Sequence, residues 1–185
     1  MSDPILKPVL PGIALRRWRL LHRVKQTHAA QLFNVTQSTI SRWESGVQAM
    51  EPAAQQQLER LLGARLNSAA DQALARLVNE SQRPMHLICD VSHRLLACSP
   101  ARAAEFSRPL SELLGQSLWR YATAEIQLRE SALASSGWHE IQAPAAVEFV
   151  TGRNDSEIVP IRQSLCRWTR IALSDGTATR LVETL

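Results

Sequence analysis

A chain of 185 residues with 45% hydrophobic content and a mean hydropathy of −0.16 holds enough apolar mass for one large core or two small ones. No stretch approaches the ~20 apolar residues that cross a bilayer, and the first eleven residues, broken by prolines and followed by no small-residue cleavage site, lack the pattern of a signal peptide. Charge is unevenly placed: residues 1–66 carry nine Lys/Arg against four Asp/Glu, a net of +5, whereas the rest carry twelve against thirteen. A polyanion would therefore bind in the first third. The three cysteines, Cys89, Cys98 and Cys166, are far apart and odd in number. That usage fits reduced thiols filling a core in a cytoplasmic protein.

Taken in chain order, residues 1–12 read as an N-terminal arm. From 13 to 64 the pattern is one of short helices and brief turns. Trp18, Leu21 and Val24 recur at helical spacing, as do Ala29, Ala30, Leu32 and Phe33, then Ile40 and Trp43. Trp18 and Trp43 read as core. Asn34 stands where a left-handed C-cap belongs, Thr36 where an N-cap belongs, and Gly46 ends the next helix. Residues 65–83 read as one amphipathic linker or dimerisation helix, with Ser68 and Asp71 at capping-box spacing and Leu74, Leu77 and Val78 as its apolar stripe. Whether that stripe packs within one chain or across two stays open.

After Pro84 the texture changes. Met85–Asp90 and His93–Cys98 are short apolar runs around an Asp-Val-Ser turn, as in a hairpin. Helical segments are expected from Pro100 to about Ser136, ended by Gly137. Strands are expected at Ala146–Thr151, Ile158–Leu173 and Thr177–Leu185, the last two joined through Asp175-Gly176, a pair that tolerates positive φ. The fold class is thus α+β in two domains: an all-α bundle, a linker helix, and an antiparallel sheet with flanking helices over 84–185.

The most specific feature is the run from Val24 to Glu44, VKQTHAAQLFNVTQSTISRWE. Ala30 is small enough for two helices to cross closely, Val35 and Ile40 supply buried contacts, and Gln37, Ser38, Ser41 and Arg42 are polar groups the core does not need. This segment, within residues 13–64, resembles the phage-repressor/Cro (XRE) type of helix-turn-helix, whose second helix enters the major groove of DNA. The matches are Gln26, Ala30 and the run Thr36–Gly46. The resemblance implies that Gln26 touches a backbone phosphate, that Gln37, Ser38 and Arg42 face base edges, and that Arg19 and Glu44 form a structural pair. The chain departs from the pattern at Lys25, where Ser or Thr is usual, and at Asn34, where Gly is usual. The expected DNA-contacting set is Lys25, Gln26, Thr36, Gln37, Ser38, Thr39, Ser41 and Arg42, with Arg23 a further candidate for neutralising phosphate. Gln can bond bidentately to adenine and Arg to guanine.

Residues 84–185 resemble a PAS domain. The carriers are Ser99-Pro100-Ala101 after the second strand, Glu112-Leu113-Leu114-Gly115, and the closing Asp175-Gly176-Thr177 turn. The resemblance implies a unit that senses a small molecule, binds a cofactor or dimerises. Trp119, Tyr121, Trp138 and Trp168 are candidates for lining an apolar pocket or filling a core. His86, His93 and His139 are isolated, and read as surface or structurally satisfied histidines rather than haem or metal ligands. No reactive flavin-type cysteine motif, P-loop or dinucleotide fingerprint occurs, and Ser131, Ser135 and Ser136 near His139 lack a nucleophile elbow and an acid partner. The expectation is a transcription regulator without catalysis, cofactor or metal, working as a homodimer on double-stranded DNA and off the membrane. A small molecule or protein at the PAS-like domain would complete the set of partners. The alternative is an adaptor or antitoxin-like module whose helical domain holds a protein.

Overall fold

The computed structural model describes residues 11–133, 135–139 and 143–185, and the chain divides into two compact units on either side of Leu62 and Gly63. Of the expected arm, residues 1–10 lie outside the described residues, and Pro11 and Gly12 belong to the first helix.

The first unit comprises α1 (Pro11–Leu21), α2 (Gln26–Phe33), α3 (Gln37–Glu44) and α4 (Pro52–Leu62). Proline at the first position of α1 and of α4 costs nothing, because its missing N–H has no partner in a first turn. Val24 falls beyond the end of α1, in the turn, where its N–H bonds the Arg19 carbonyl at 2.8 Å. Between α2 and α3 the chain reverses through Asn34, left-handed at φ 52 and ψ 45, while the Val35 N–H reaches back to the Ala30 carbonyl at 2.9 Å. This closure satisfies carbonyls that a helix end leaves open. The Thr36 hydroxyl oxygen then accepts the Thr39 N–H and caps α3. Leu15, Ala29, Ala30, Phe33, Ile40, Trp43, Met50 and Leu58 form the core, with Phe33 edge-on to Trp43 at 6.0 Å. Gly12 sits where α1 meets the end of α3. A Cβ there would lie 1.8 Å from the Trp43 carbonyl oxygen, so no residue with a side chain fits without moving backbone.

The second unit opens with residues 63–68 outside any helix, and α5 runs over Ala69–Asn79, shorter than the expected 65–83. The reason is the cap. Ser68 Oγ accepts the Asp71 N–H at 3.0 Å and Asp71 accepts the Ser68 N–H at 3.1 Å, which places the start of the helix after Ser68. Asp71 also accepts from the N–H and hydroxyl of Ser174, tying the cap to the turn at 174–176 and holding its carboxyl well below the usual range. The apolar stripe of α5 divides. Leu74, Ala75 and Val78 pack on the sheet with Leu87, Ala97 and Leu181, whereas Leu77 is 70% exposed.

The sheet holds β1 (Met85–Cys89), β2 (Leu95–Cys98), β3 (Val147–Val150), β4 (Leu165–Ala172) and β5 (Ala178–Thr184), all antiparallel, in the order β2-β1-β5-β4-β3. The expected helical run after Pro100 is broken into α6 (Pro100–Ala103), α7 (Leu110–Leu113), a 3-10 turn at Trp119–Tyr121, and α8 (Ala124–Leu133). Gly115, at φ 77, turns the chain after α7. Strand β4 starts at Leu165 rather than Ile158. Before it, Asn154 occupies the backbone groups a strand would need: its side chain donates to the carbonyls of Tyr121 and Val159 and accepts the Ile161 N–H. Pro160 has no N–H to give a ladder.

Strand alternation then sorts the sheet into two faces. Leu87 and Leu181 meet α5, while Ile88, Cys166, Trp168 and Val182 face the α6–α8 side. The three cysteines are buried and free.

Candidate functional site

Two sites stand out, one in each unit. In α3, Ile40, Trp43 and Glu44 are buried, whereas Gln37, Ser38, Ser41 and Arg42 are exposed at positions that share the opposite helix face. Lys25 is exposed at the start of α2 and makes no side-chain cap there, as its departure from Ser or Thr led us to expect. The hydroxyls of Thr36 and Thr39 are 2.9 Å apart and belong to the α3 cap, so these two of the expected contact residues also have a structural task.

Four residues form a chain of polar contacts leading to that face. Arg19 donates to both oxygens of Glu44, at 2.7 and 3.0 Å. Gln26 Nε2 donates to Glu44 Oε2 at 2.9 Å, and Gln37 Nε2 donates to Gln26 Oε1 at 2.7 Å. Burial opposes the charge on Glu44, but the bonds from Arg19 and Gln26 outweigh it and hold its carboxyl below the ordinary range. Arg19 and Glu44 are paired as the sequence resemblance implies. Gln26, expected on a phosphate, is held here between Glu44 and Gln37, and it fixes the amide of a residue at the exposed start of α3.

In the second unit a cavity of about 330 Å³ lies between the inner sheet face and the α6–α8 side. Ile88, Trp119, Tyr121, Val159, Trp168 and Val182 supply its apolar wall. Trp119, Tyr121 and Trp168 thus line it, but Trp138 does not. That indole is fully buried, and its N–H donates to both Asp90 oxygens at 3.1 and 3.2 Å. His86, half-buried, stands on the cavity wall, opposite Val182 across β1 and β5. Burial, with Arg102 adding to it, pushes its imidazole down to about 3. Arg102 itself is answered by Glu105 and by the Pro160 carbonyl at 3.0 Å, and lies over the Phe106 ring.

Against this cavity lies a buried charge cluster the sequence did not announce. Arg180 is 1% exposed. It donates to Asp90 from Nε at 2.8 Å, pairs with Glu130, and sits 4.4 Å from the centre of the Trp168 ring. Burial disfavours its charge, yet Asp90 and Glu130 raise its pKa above the usual arginine value. Glu130 is likewise opposed by burial and brought to about 2 by His93 and Arg180. Arg170 Nε lies 3.4 Å from Asp90, and His139 Nδ1 lies 3.8 Å away. His93, left-handed at φ 56, stacks on Trp119 at 4.6 Å and reaches Glu130 at 3.4 Å. All three histidines expected to be isolated therefore adjoin the cavity or the cluster. The available signal was parity: His86 and Ile88 alternate along β1 and Asp90, the residue after it, continues the alternation, so a charge falls on the core-facing side.

Among the described residues no group of His, Cys, Asp or Glu could hold a metal ion, and no helix is long and apolar enough to cross a membrane.

No protein-family model matches the sequence, nor does any curated protein. Among solved structures, the chain is similar to the PAS domain of an HTR-like protein from Haloarcula marismortui, at 18% identity and a TM-score of 0.41 over 63% of this chain and 90% of that one. It is similar to the PAS domain of nitrogen regulation protein NR(II) from Vibrio parahaemolyticus, at 15% identity and a TM-score of 0.42 over 60% and 95%. An RNA-binding light-oxygen-voltage receptor aligns over 95% of this chain and 57% of its own length, at 13% identity and a TM-score of 0.45.

Proposed function

We propose that the chain is a sequence-specific DNA-binding transcription regulator, with α2 and α3 as its helix-turn-helix and the second unit as a PAS-like sensory or dimerising module. It works by binding rather than catalysis, and as a homodimer. The observation that carries the reading is the Arg19–Glu44–Gln26–Gln37 chain of contacts. An exposed glutamine ordinarily loses rotamer freedom when it binds. Here Gln37 is already held, with its amide at the start of a helix whose outward face carries Ser38, Ser41 and Arg42. Such an amide suits the N6/N7 edge of adenine in the major groove. Lys25, Arg23 and Arg42 would neutralise phosphates, each adding about one counterion to the salt dependence. For the second unit, the support is its own topology: two strands, a helical stretch, three strands, all wrapped around a cavity of ligand size.

Selection of genomic fragments on the purified full chain, at physiological salt, tests this. A two-fold-symmetric motif with half-sites one helical turn apart is expected. Gln37→Ala should lose preference at a single base position within each half-site, by roughly 1–3 kcal/mol. Binding of specific and random DNA that is equal, and unaltered by Gln37→Ala, would remove the base-reading role.

A further inference from the structure

We propose that the cavity of the second unit takes an uncharged, flat aromatic molecule of one or two rings, held by a hydrogen bond to His86. This inference rests on reading the second unit as a sensor of small molecules, and it concerns which molecules.

Size comes first. At about 330 Å³ the cavity is near the lower limit of ligand pockets, so it suits a compact molecule rather than a nucleotide or a porphyrin. Shape follows from the wall, to which Trp119, Tyr121 and Trp168 contribute aromatic rings and Ile88, Val159 and Val182 aliphatic groups. Aromatic faces pack best against another flat ring, offset or edge-on.

Three guanidiniums line the wall, of which Arg162 is exposed to solvent, so the buried charge balance is decided by the other two. Arg102 is paired with Glu105 and bonded to the Pro160 carbonyl, and Arg180 is paired with Asp90 and Glu130. An anion entering here would shed its water and then compete with carboxylates already in place. A cation would meet three guanidiniums.

The wall's other polar side chains include Thr151 and Ser164, which are bonded within the protein, and His86. Nothing among the described residues hydrogen-bonds its ring, although the ring stands on the cavity wall. Burial and the neighbouring Arg102 keep it neutral well below physiological pH. A neutral imidazole offers one donor and one acceptor, which suits an amide, a phenol or a heteroaromatic N–H. A polar site unmatched by protein is the kind that discriminates among ligands by hydrogen bonding.

The test is calorimetric titration of the full chain with 2-naphthamide and 2-naphthoate at neutral pH, two probes of one shape that differ in charge. The amide should bind at least tenfold more tightly. His86→Leu should weaken amide binding about tenfold at an unchanged melting temperature, whereas His86→Gln, which keeps a donor and an acceptor, should stay within about threefold. The glutamine variant guards against a folding defect in the leucine one. Naphthoate binding as tightly as the amide overturns the charge assignment and leaves the sensor reading standing. Amide binding indifferent to His86→Leu overturns the role of the imidazole. No heat from either probe at millimolar concentration overturns the proposal together with the sensor reading, while the DNA-binding reading is judged separately by fragment selection.

Discussion

Asp90→Ala is expected to destabilise the second unit by about 3–5 kcal/mol, the cost of breaking a buried ion pair by removing one partner. The carboxylate is 2% exposed and is the meeting point of Arg180, Arg170 and the Trp138 N–H. Taking it away leaves Arg180 with Glu130 alone, and strands the Trp138 donor in a site that water does not reach. Asp90→Asn should cost less, because an amide oxygen can still accept from Trp138, though the charge balance is lost. Thermal denaturation followed by tryptophan fluorescence reads both effects. A fall on the order of 10 °C or more is expected for the alanine variant, with the asparagine variant in between. Equal midpoints for all three proteins would mean that the cluster is no more than neutral to the fold.

Glu44→Ala is expected to cost the first unit about 3 kcal/mol, at the low end of the buried-pair range because the Arg19 side chain keeps 13% of its exposure. Its second effect concerns recognition. Without the carboxylate, Gln26 loses its acceptor and Gln37 loses the fixed partner behind it. Specific DNA binding should therefore weaken more than non-specific binding at any temperature where the unit is still folded. Glu44→Gln separates the two effects: its amide oxygen still accepts from Arg19 or Gln26, so much of the stability returns. Chemical denaturation and paired titrations with specific and random duplexes make the measurement. Equal losses on both duplexes would show that Glu44 serves the fold alone.

Local features were legible in the sequence because each depends on a few adjacent residues. Asn34, Thr36, Gly46 and the Ser68/Asp71 box each do in the structure what their chemistry dictates at those positions. Apolar parity placed four of the five strands within two residues of their observed spans, and the other, β4, with its start seven residues too early. The failures have physical causes. An apolar run before β4 resembles a strand, but the Asn154 side chain, several residues upstream, takes over its backbone bonding. The α5 stripe looked continuous, and only the packed sheet reveals that Leu77 falls outside the contact. Asp90 and Arg180 are paired across 90 positions, a separation that no local pattern encodes. The cavity is harder still, because a void is defined by what several distant segments leave unfilled.

All three cysteines belong to the second unit, buried in the sheet, and burial pushes the thiols of Cys98 and Cys166 up to about 11 and about 12. At neutral pH almost no thiolate of these two exists to react while that unit stays closed, and Cys89 is buried as well. A thiol-reactive dye is therefore a clock for transient opening of the second unit, and residues 1–62 contribute no background to it. Any molecule that occupies the closed cavity should slow the clock in proportion to its saturation, even where it leaves no trace in the spectrum of the folded protein.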